Sequence, residues 1–321
     1  MEYEYFSRSA LDNSPSAKDG VTAEQERQYR RKTCQFVDKC AQRFKPPMPK
    51  LAVATAQVFF HRFFSRQSFR AHDRMLIATA CLHLAGKVQE SPRKLSVVSQ
   101  VMHVTLNKGA DPLARESEAF KKLKESILIA ERVLLHTIAF DLDVEHPYQD
   151  LVPLVQRLRI VDKERKQLLQ TAWNFVNDSL STNLCLQFPP RTVACATMHM
   201  AAKYLKLPEA ETGVPGAADR VDRAGAGGGV GGGGAEADTV GLSKWAKDFG
   251  VPRDALFSVC SQILELYAGQ AQGLDPKMAA VSESVARLAP KAPSGGLASR
   301  QPESNGAGGG HRDKRQRVEA S

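Results

Sequence analysis

The chain predicts an all-α protein built from a duplicated helical unit, and two observations carry that expectation. A helix from Met75 to Gly86 is apolar at nearly every position and ends on Lys87, and it is written again 116 residues later. Ala78, Ala80, His83, Ala85 and Lys87 recur there as Ala194, Ala196, His199, Ala201 and Lys203. The helix before it obeys the same offset, with Thr55, Ala56 and Phe59 facing Thr171, Ala172 and Phe175. A spacing shared by two consecutive helices preserves a whole supersecondary unit.

Taken in order, residues 1–21 carry Ser, Asp, Asn, Pro and Gly without apolar periodicity, which predicts a disordered arm. A polar helix over 22–44 follows and is stopped by Pro46, Pro47 and Pro49, because proline lacks the backbone donor and restricts its predecessor. Five helices are expected over 51–66, 73–88, 93–103, 116–139 and 147–158, so that 22–160 holds an N-terminal helix and the first unit. The second unit, 161–270, repeats the order with helices over 162–179, 191–205, 242–249 and 252–268, its fifth helix weak or missing. Inside it, 208–241 is a glycine-rich insertion, where Gly225, Gly227 to Gly229 and Gly231 to Gly234 sustain neither helix nor strand. A folded unit tolerates such a loop because closure entropy grows slowly with length. Residues 271–321 read as a disordered basic tail, leaving room for a short helix over 276–288.

The 321 residues include 44 Lys and Arg against 35 Asp and Glu, a net charge of +9. Basic residues are scattered through the helices, so attraction to acidic partners follows, and nucleic-acid binding does not. The six cysteines, at 34, 40, 81, 185, 195 and 260, form no Cys-x-x-Cys and lie mostly in apolar helical patterns. That predicts reduced, buried thiols in the cytoplasm or nucleus. The start Met1-Glu2-Tyr3-Glu4-Tyr5 lacks the regions of a signal peptide, and no apolar run approaches membrane-spanning length, so a soluble intracellular protein is expected.

Glu131 is the informative residue of the fourth helix. At 100° per residue, Ile127, Leu134 and Ile138 fall within about 40° of it, so the acid lies in an apolar stripe. A buried charge needs a cation, and Lys87, closing the buried second helix, is the expected partner. Spacing alone leaves two readings open: a structural salt bridge, or a pair at the rim of a groove that hydrogen-bonds a partner's helix terminus.

Several motifs resemble a known family. Ala80-Cys81-Leu82-His83-Leu84-Ala85-Gly86-Lys87-Val88-Gln89-Glu90-Ser91-Pro92-Arg93-Lys94-Leu95 is similar to the signature of a cyclin box. Phe59-Phe60-His61-Arg62-Phe63-Phe64, with Gln67-Ser68-Phe69 after it, resembles the first box helix of transcriptional cyclins. Ala172-Trp173-Asn174-Phe175-Val176-Asn177-Asp178-Ser179-Leu180, Leu184-Cys185-Leu186-Gln187-Phe188 and Gln262-Ile263-Leu264-Glu265-Leu266-Tyr267 resemble plant-type cyclin T. The resemblance covers about 25–268 apart from the insertion.

The resemblance implies tandem five-helix cyclin boxes that bind and activate a cyclin-dependent kinase of the elongation type as a heterodimer. By residue, it implies that Lys87 and Glu131 contact the kinase's mobile regulatory helix, and that Val88, Leu135 and Phe140 line the same groove. It further implies a nuclear protein that promotes phosphorylation of the RNA polymerase II C-terminal tail and thereby elongation. No catalytic activity, cofactor, membrane or direct nucleic-acid partner is expected. The rival expectations are a cyclin K- or L-type regulator of another kinase, or a DNA-holding basal factor with cyclin-like boxes. Gln89 replaces the glutamate usual there, the glycine insertion is unusual, and no Met-Arg-Ala-Ile-Leu occurs, which favours transcription over mitosis.

Other signals carry less. Gly227-Gly228-Gly229-Val230-Gly231-Gly232 fits Gly-x-Gly-x-x-Gly but has no strand before it, which argues against a phosphate cradle. Cys195 and His199 share a helical face without further ligands at metal spacing, so packing is the reading. Lys314, Arg315 and Arg317 are a nuclear-import candidate. Ser14-Pro15, in expected flexible chain, and Ser91-Pro92 are minimal proline-directed phosphorylation sites.

Overall fold

Helix α3 (Ala23–Arg43), the first long helix, begins with a reciprocal cap: Thr22 accepts from the Gln25 amide, and the Gln25 side chain accepts from the Thr22 amide. Its mean character is polar, yet Arg30, Thr33, Cys34, Val37, Cys40 and Ala41 recur at helical spacing and are all buried. The computed structural model describes residues 5–108, 110–158, 160–207, 249–268 and 275–290, and the packing reported below lies within 1–289. The further helices are α4 (Lys50–Arg66), α5 (Arg74–Val88), α6 (Leu95–Leu106), α7 (Glu118–Thr137), α8 (Pro147–Gln156), α9 (Asp162–Ser179), α10 (Pro190–Tyr204), α11 (Arg253–Ala268) and α12 (Pro276–Ala286). Two short helices precede them, α1 (Arg8–Asp12) and α2 (Pro15–Lys18). Among the described residues every regular element is helical, as expected of the fold class.

The core divides in two. One cluster draws on α3 to α7, from Cys34 to Ile138, and the other on α8 to α12, from Tyr148 to Leu288. Each has a mostly apolar helix at its centre, α5 in the first and α10 in the second, buried from Ile77 to Gly86 and from Thr192 to Ala202. The repeat extends to the caps. After α5 the Ser91 amide reaches Gly86 O at 2.8 Å with Glu90 at φ 49°; after α10 the Leu207 amide reaches Ala202 O at 3.0 Å with Lys206 at φ 55°. Both are six-to-one closures around a left-handed residue, and Glu90 and Lys206 are themselves 116 positions apart.

Three expected boundaries are corrected. The first unit does not run to 160, because α8 contributes Tyr148, Leu151, Leu154 and Val155 to the second core. It packs on α9 and α10 as α3 packs on α4 and α5. The division therefore falls between Ile138 and Tyr148, and α3 is the first unit's own opening helix. The arm over 1–21 is ordered where described. Ser7 and Ser14 cap α1 and α2, Leu11 and Val21 are buried, and the Ser16 hydroxyl accepts from the Phe69 amide at 3.0 Å. Ser14 is 4% exposed and donates to Glu26 at 2.8 Å, so Ser14-Pro15 lies in folded chain. The expected tail over 271–321 begins with α12, which docks Met278, Val281, Val285 and Leu288 onto the second core. The 208–241 insertion, most of the expected 242–249 helix and the Lys314, Arg315 and Arg317 cluster lie outside the described residues.

The two units share a joint along α4. Ala54 and Val58 join the second cluster, and Thr55 meets His146, the residue before α8, at 2.9 Å. Deeper in, the buried Arg30 guanidinium donates to Glu26, to Phe64 O and to His61 Nδ1 at 3.0 Å. A guanidinium only donates, so His61 Nδ1 accepts and its Nε2–H donates to Leu180 O at 2.9 Å, across the joint. Burial, and then the neighbouring Arg30 charge, hold His61 near a pKa of about 3, which keeps this neutral tautomer.

Candidate functional site

The apolar periodicity of α5 buries its body, so only its C-terminal end reaches a surface. Gly86 is there because a side chain would not fit: a Cβ would stand 2.6 Å from Met48 Cε and 3.2 Å from Ser91 O. That close approach sets α5 against the 46–48 segment and presents Lys87 beside α7. On α7, Ile127, Ala130, Glu131 and Leu134 are the buried positions, spaced i, i+3, i+4 and i+7.

The expected pair forms. Lys87 Nζ lies 2.8 Å from both carboxylate oxygens of Glu131. The two ends differ in environment, the Lys87 side chain being 46% exposed and that of Glu131 9%. The carboxylate is thus held in an apolar wall by a cation that itself touches water, which places the pair on a rim. An ammonium has three donors and a carboxylate about four acceptor sites, so capacity remains on both for a further ligand.

Beside the pair stands His83, one turn back on α5. It is 6% exposed, makes no hydrogen bond, and its Nδ1 is buried without a partner. Burial holds its pKa below the ordinary imidazole value; Glu131 pulls the other way and Lys87 reinforces the depression. The ring is neutral at physiological pH.

Of the remaining expected residues, Val88 and Leu135 are half-buried against the first core. Phe140 is 59% exposed. It sits where α7 ends in a six-to-one closure, its amide reaching Leu135 O at 2.9 Å and that of Ala139 reaching His136 O at 3.1 Å. Ala139 and Phe140 both lie in the left-handed region, at φ 54° and 57°, an arrangement that costs about 1 kcal/mol or more per non-glycine residue. His136 packs edge-on against the Phe140 ring at 5.6 Å. The chain end is therefore held with an aromatic ring in solvent. Leu128 and Ile129, 46% and 52% exposed on α7, extend the apolar surface. Sequence reasoning missed them because the buried stripe claims the same helix, and adjacent apolar positions read as part of it.

Gln89, the departure from the expected glutamate, donates to Thr55 at 3.1 Å and is part of the joint. On the second unit Cys195 is fully buried, with its thiol pushed up to about 12 by that burial, and His199 meets Ser284 at 3.4 Å. A neutral buried thiol is a packing group.

Comparison with known proteins places the same division in the chain. The family profile described as "Cyclin, N-terminal domain" matches residues 2–143, and that described as "Cyclin-T2-like, C-terminal domain" matches residues 146–212. Cyclin-T1-5 of Arabidopsis thaliana is 38% identical over 267 residues, covering 82% of this chain and 40% of the relative. Cyclin-T1-3 of Oryza sativa subsp. japonica is 36% identical over 299 residues, covering 90% and 54%. The chain thus spans about half the length of these curated relatives or less. A chain in the crystal structure of the yeast RNA Pol II CTD kinase CTDK-1 complex superposes with a TM-score of 0.64 at 16% identity, over 90% of this chain and 86% of that one. At that identity it is the fold that is shared.

Proposed function

The chain belongs to the cyclin family, and on that premise we propose that it is a non-catalytic subunit that binds and activates a cyclin-dependent kinase. The kinase in this reading acts on the RNA polymerase II C-terminal tail and promotes transcription elongation. The likeness to cyclin T relatives and to a chain of a polymerase-tail kinase complex supports it.

The observation that carries the proposal is the Lys87–Glu131 pair. The acid is buried while its cation stands half in water, so the pair lies where a partner can reach it. Residual hydrogen-bonding capacity at the rim suits the unsatisfied backbone groups of a partner's helix terminus. Half-buried Val88 and Leu135 and exposed Leu128, Ile129 and Phe140 supply apolar area around the polar centre, the arrangement of an interface with a polar anchor.

The mechanism is conformational. An active kinase needs its ATP-contacting lysine paired with a glutamate on its regulatory helix, and a surface that grips that helix holds it inward. The reacting groups belong to the kinase. This chain contributes differential affinity for the active conformation, and the equilibrium moves by that difference.

Lys87→Glu or Glu131→Ala should abolish co-purification with a transcriptional cyclin-dependent kinase and the associated kinase activity, with helical content by circular dichroism near wild type. Full kinase binding by both variants would overturn the assignment. Nuclear residence is part of the proposal, with Lys314, Arg315 and Arg317 as the import signal; a fluorescent fusion that stays nuclear after all three become alanine would remove that role from them.

A further inference from the structure

The solvent face of α3 is basic along its length. At 100° per residue Arg27, Arg31, Lys32, Lys39 and Arg43 fall within one arc of about 160°, interleaved with Gln28, Gln35 and Gln42, and all of them are exposed. The acids of this helix are engaged elsewhere. Glu24 pairs with Arg27 at 2.7 Å, Glu26 pairs with the buried Arg30 at 2.7 Å, and Asp38 is half-buried and accepts from Gln57 at 3.3 Å. Lys32, Lys39 and Arg43 are left without an ion pair among the described residues.

Where α3 ends against α6, the stripe opens into a hollow of about 480 Å³ lined by Lys39, Gln42, Arg43, Thr105 and Lys108. Its lining holds three cations and no carboxylate. The two hollows at the joint are different: Arg31 and Lys50 share one with Asp38 and Asp178, and Arg27 and Arg30 share the other with Glu24 and Glu26. In the α3–α6 hollow the side chains of Lys39, Gln42, Arg43 and Lys108 make no hydrogen bond or ion pair among the described residues. Thr105 donates its hydroxyl proton to Val101 O at 2.6 Å. Arg43 lies in the last turn of α3 and Lys108 just past the end of α6, where a cation complements each helix dipole. Lys39, one turn inside α3, adds a positive charge that neither helix end requires.

We propose that this hollow is a phosphate-recognition site, and that the α3 stripe leading from it holds a phosphorylated peptide, the product strand of the bound kinase. The identity of the peptide rests on the kinase-activating reading; the site rests on the charges. A phosphoserine brings nearly two negative charges and three acceptor oxygens, against one charge on a carboxylate. Lys39 and Lys108 answer the charge, the planar Arg43 fork takes two oxygens at once, and the Gln42 carboxamide adds a neutral donor. From Lys39 back to Lys32, α3 rises about 10 Å, the span of about three residues of extended chain. A second phosphate three residues from the first therefore falls beside Arg31 and Lys32, with Gln35 opposite the backbone between them. Neither the exposed arc nor the hollow carries an aromatic ring, the platform on which single-stranded RNA stacks its bases, so the chemistry fits a peptide. On a repeated substrate, each phosphate added then tethers the chain for the next addition.

The test titrates the full chain by fluorescence anisotropy against a labelled peptide of polymerase-tail repeats bearing two phosphoserines three residues apart. Its singly phosphorylated and unphosphorylated forms, and uridine RNA of equal charge, are the comparisons. The doubly phosphorylated peptide should bind at least about tenfold more tightly than the unphosphorylated one, and less tightly as salt rises. Lys39→Glu combined with Arg43→Glu should remove at least about tenfold of that affinity. Lys32→Glu should weaken the doubly phosphorylated peptide and leave the singly phosphorylated one unchanged. Circular dichroism melts separate folding from contact, and Lys108→Ala, past the end of α6, keeps the test valid if the charge reversals unfold. Equal affinity for phosphorylated and unphosphorylated peptide overturns the site, as does wild-type affinity in the folded variants or tighter binding of the RNA. Lys87→Glu reads the other proposal: it should abolish kinase capture and leave phosphopeptide binding intact. Phosphopeptide binding by a chain whose wild type captures no kinase would keep the site and remove the kinase as the source of its ligand.

Discussion

Replacing Lys87 with methionine keeps the aliphatic stem and removes the charge, leaving the Glu131 carboxylate in an apolar wall at 9% exposure without its cation. Breaking a fully buried ion pair by deleting one partner costs about 3–5 kcal/mol. Lys87 is half in water, so solvent already screens the pair and can follow into the space it vacates; the expected cost is about 1–2 kcal/mol. At about 2–4 °C per kcal/mol for a folded unit of this size, the melting midpoint should fall by about 2–8 °C. The reverse deletion, Glu131→Gln, leaves an ammonium that water solvates and an amide able to hydrogen-bond, and should cost about 1 kcal/mol or less. Lys87→Met combined with Glu131→Leu should return to within about 0.5 kcal/mol of wild type, because no charge is left buried. Kinase capture should be lost in all three, so stability is asymmetric where binding is not. Thermal melts by circular dichroism alongside affinity capture read both. Glu131→Gln destabilising as much as Lys87→Met would refute the environment argument, and capture surviving in the restored double variant would refute the binding role.

Other expectations concern the joint, the approach at Gly86 and the helix ends. His61 and His146 have folded pKa values of about 3 and about 4, both lowered by burial, against about 6.5 unfolded. The unfolded chain binds more protons through that window, so their contribution is full above pH 6.5 and is lost as pH falls through about 4 for His146 and about 3 for His61; urea midpoints should drop over that range and less so in His61→Gln, and parallel curves would contradict the assignment. Gly86→Ala should cost about 1–3 kcal/mol by driving Met48 and the Ser91 carbonyl aside, with part recovered in combination with Met48→Ala; strict additivity of the two would argue against the contact. Ala139→Gly should raise stability by up to about 1 kcal/mol because φ 54° favours glycine, and Ala139→Val should lower it; a reversed order would mean the left-handed cap is absent in solution.

Much of the site was legible from residue order alone, for a definite reason. An acid in the middle of an apolar stripe demands a cation, and the buried helix that ends on Lys87 supplied one at the right place. The repeat offset was equally plain, because α5 and α10 are buried all round and tolerate little change of residue type. The joint network was not readable: Arg30, His61 and the Leu180 carbonyl come from three segments whose meeting depends on how α3, α4 and the chain after α9 converge. Nor was the exposure of Phe140, which follows from two consecutive left-handed residues and not from hydropathy.

The sequence by itself determined that the protein is all-helical, duplicated, and charged where a core should be apolar, because periodicity and burial of charge are local properties of the chain. Where the two units divide was left to tertiary structure, since α3 and α8 look unalike in sequence and only their packing on α4–α5 and α9–α10 makes them equivalents. The same holds for α12, whose apolar residues at 278, 281, 285 and 288 sit among Pro, Ser and Ala and gain meaning only against α10 and α11. That helix covers the α10–α11 face of the second unit, while the first unit keeps the carboxylate and the α5–α7 face beside it. Two helices in repeat register thereby acquire different surroundings, because what lies over each is set by chain far from it.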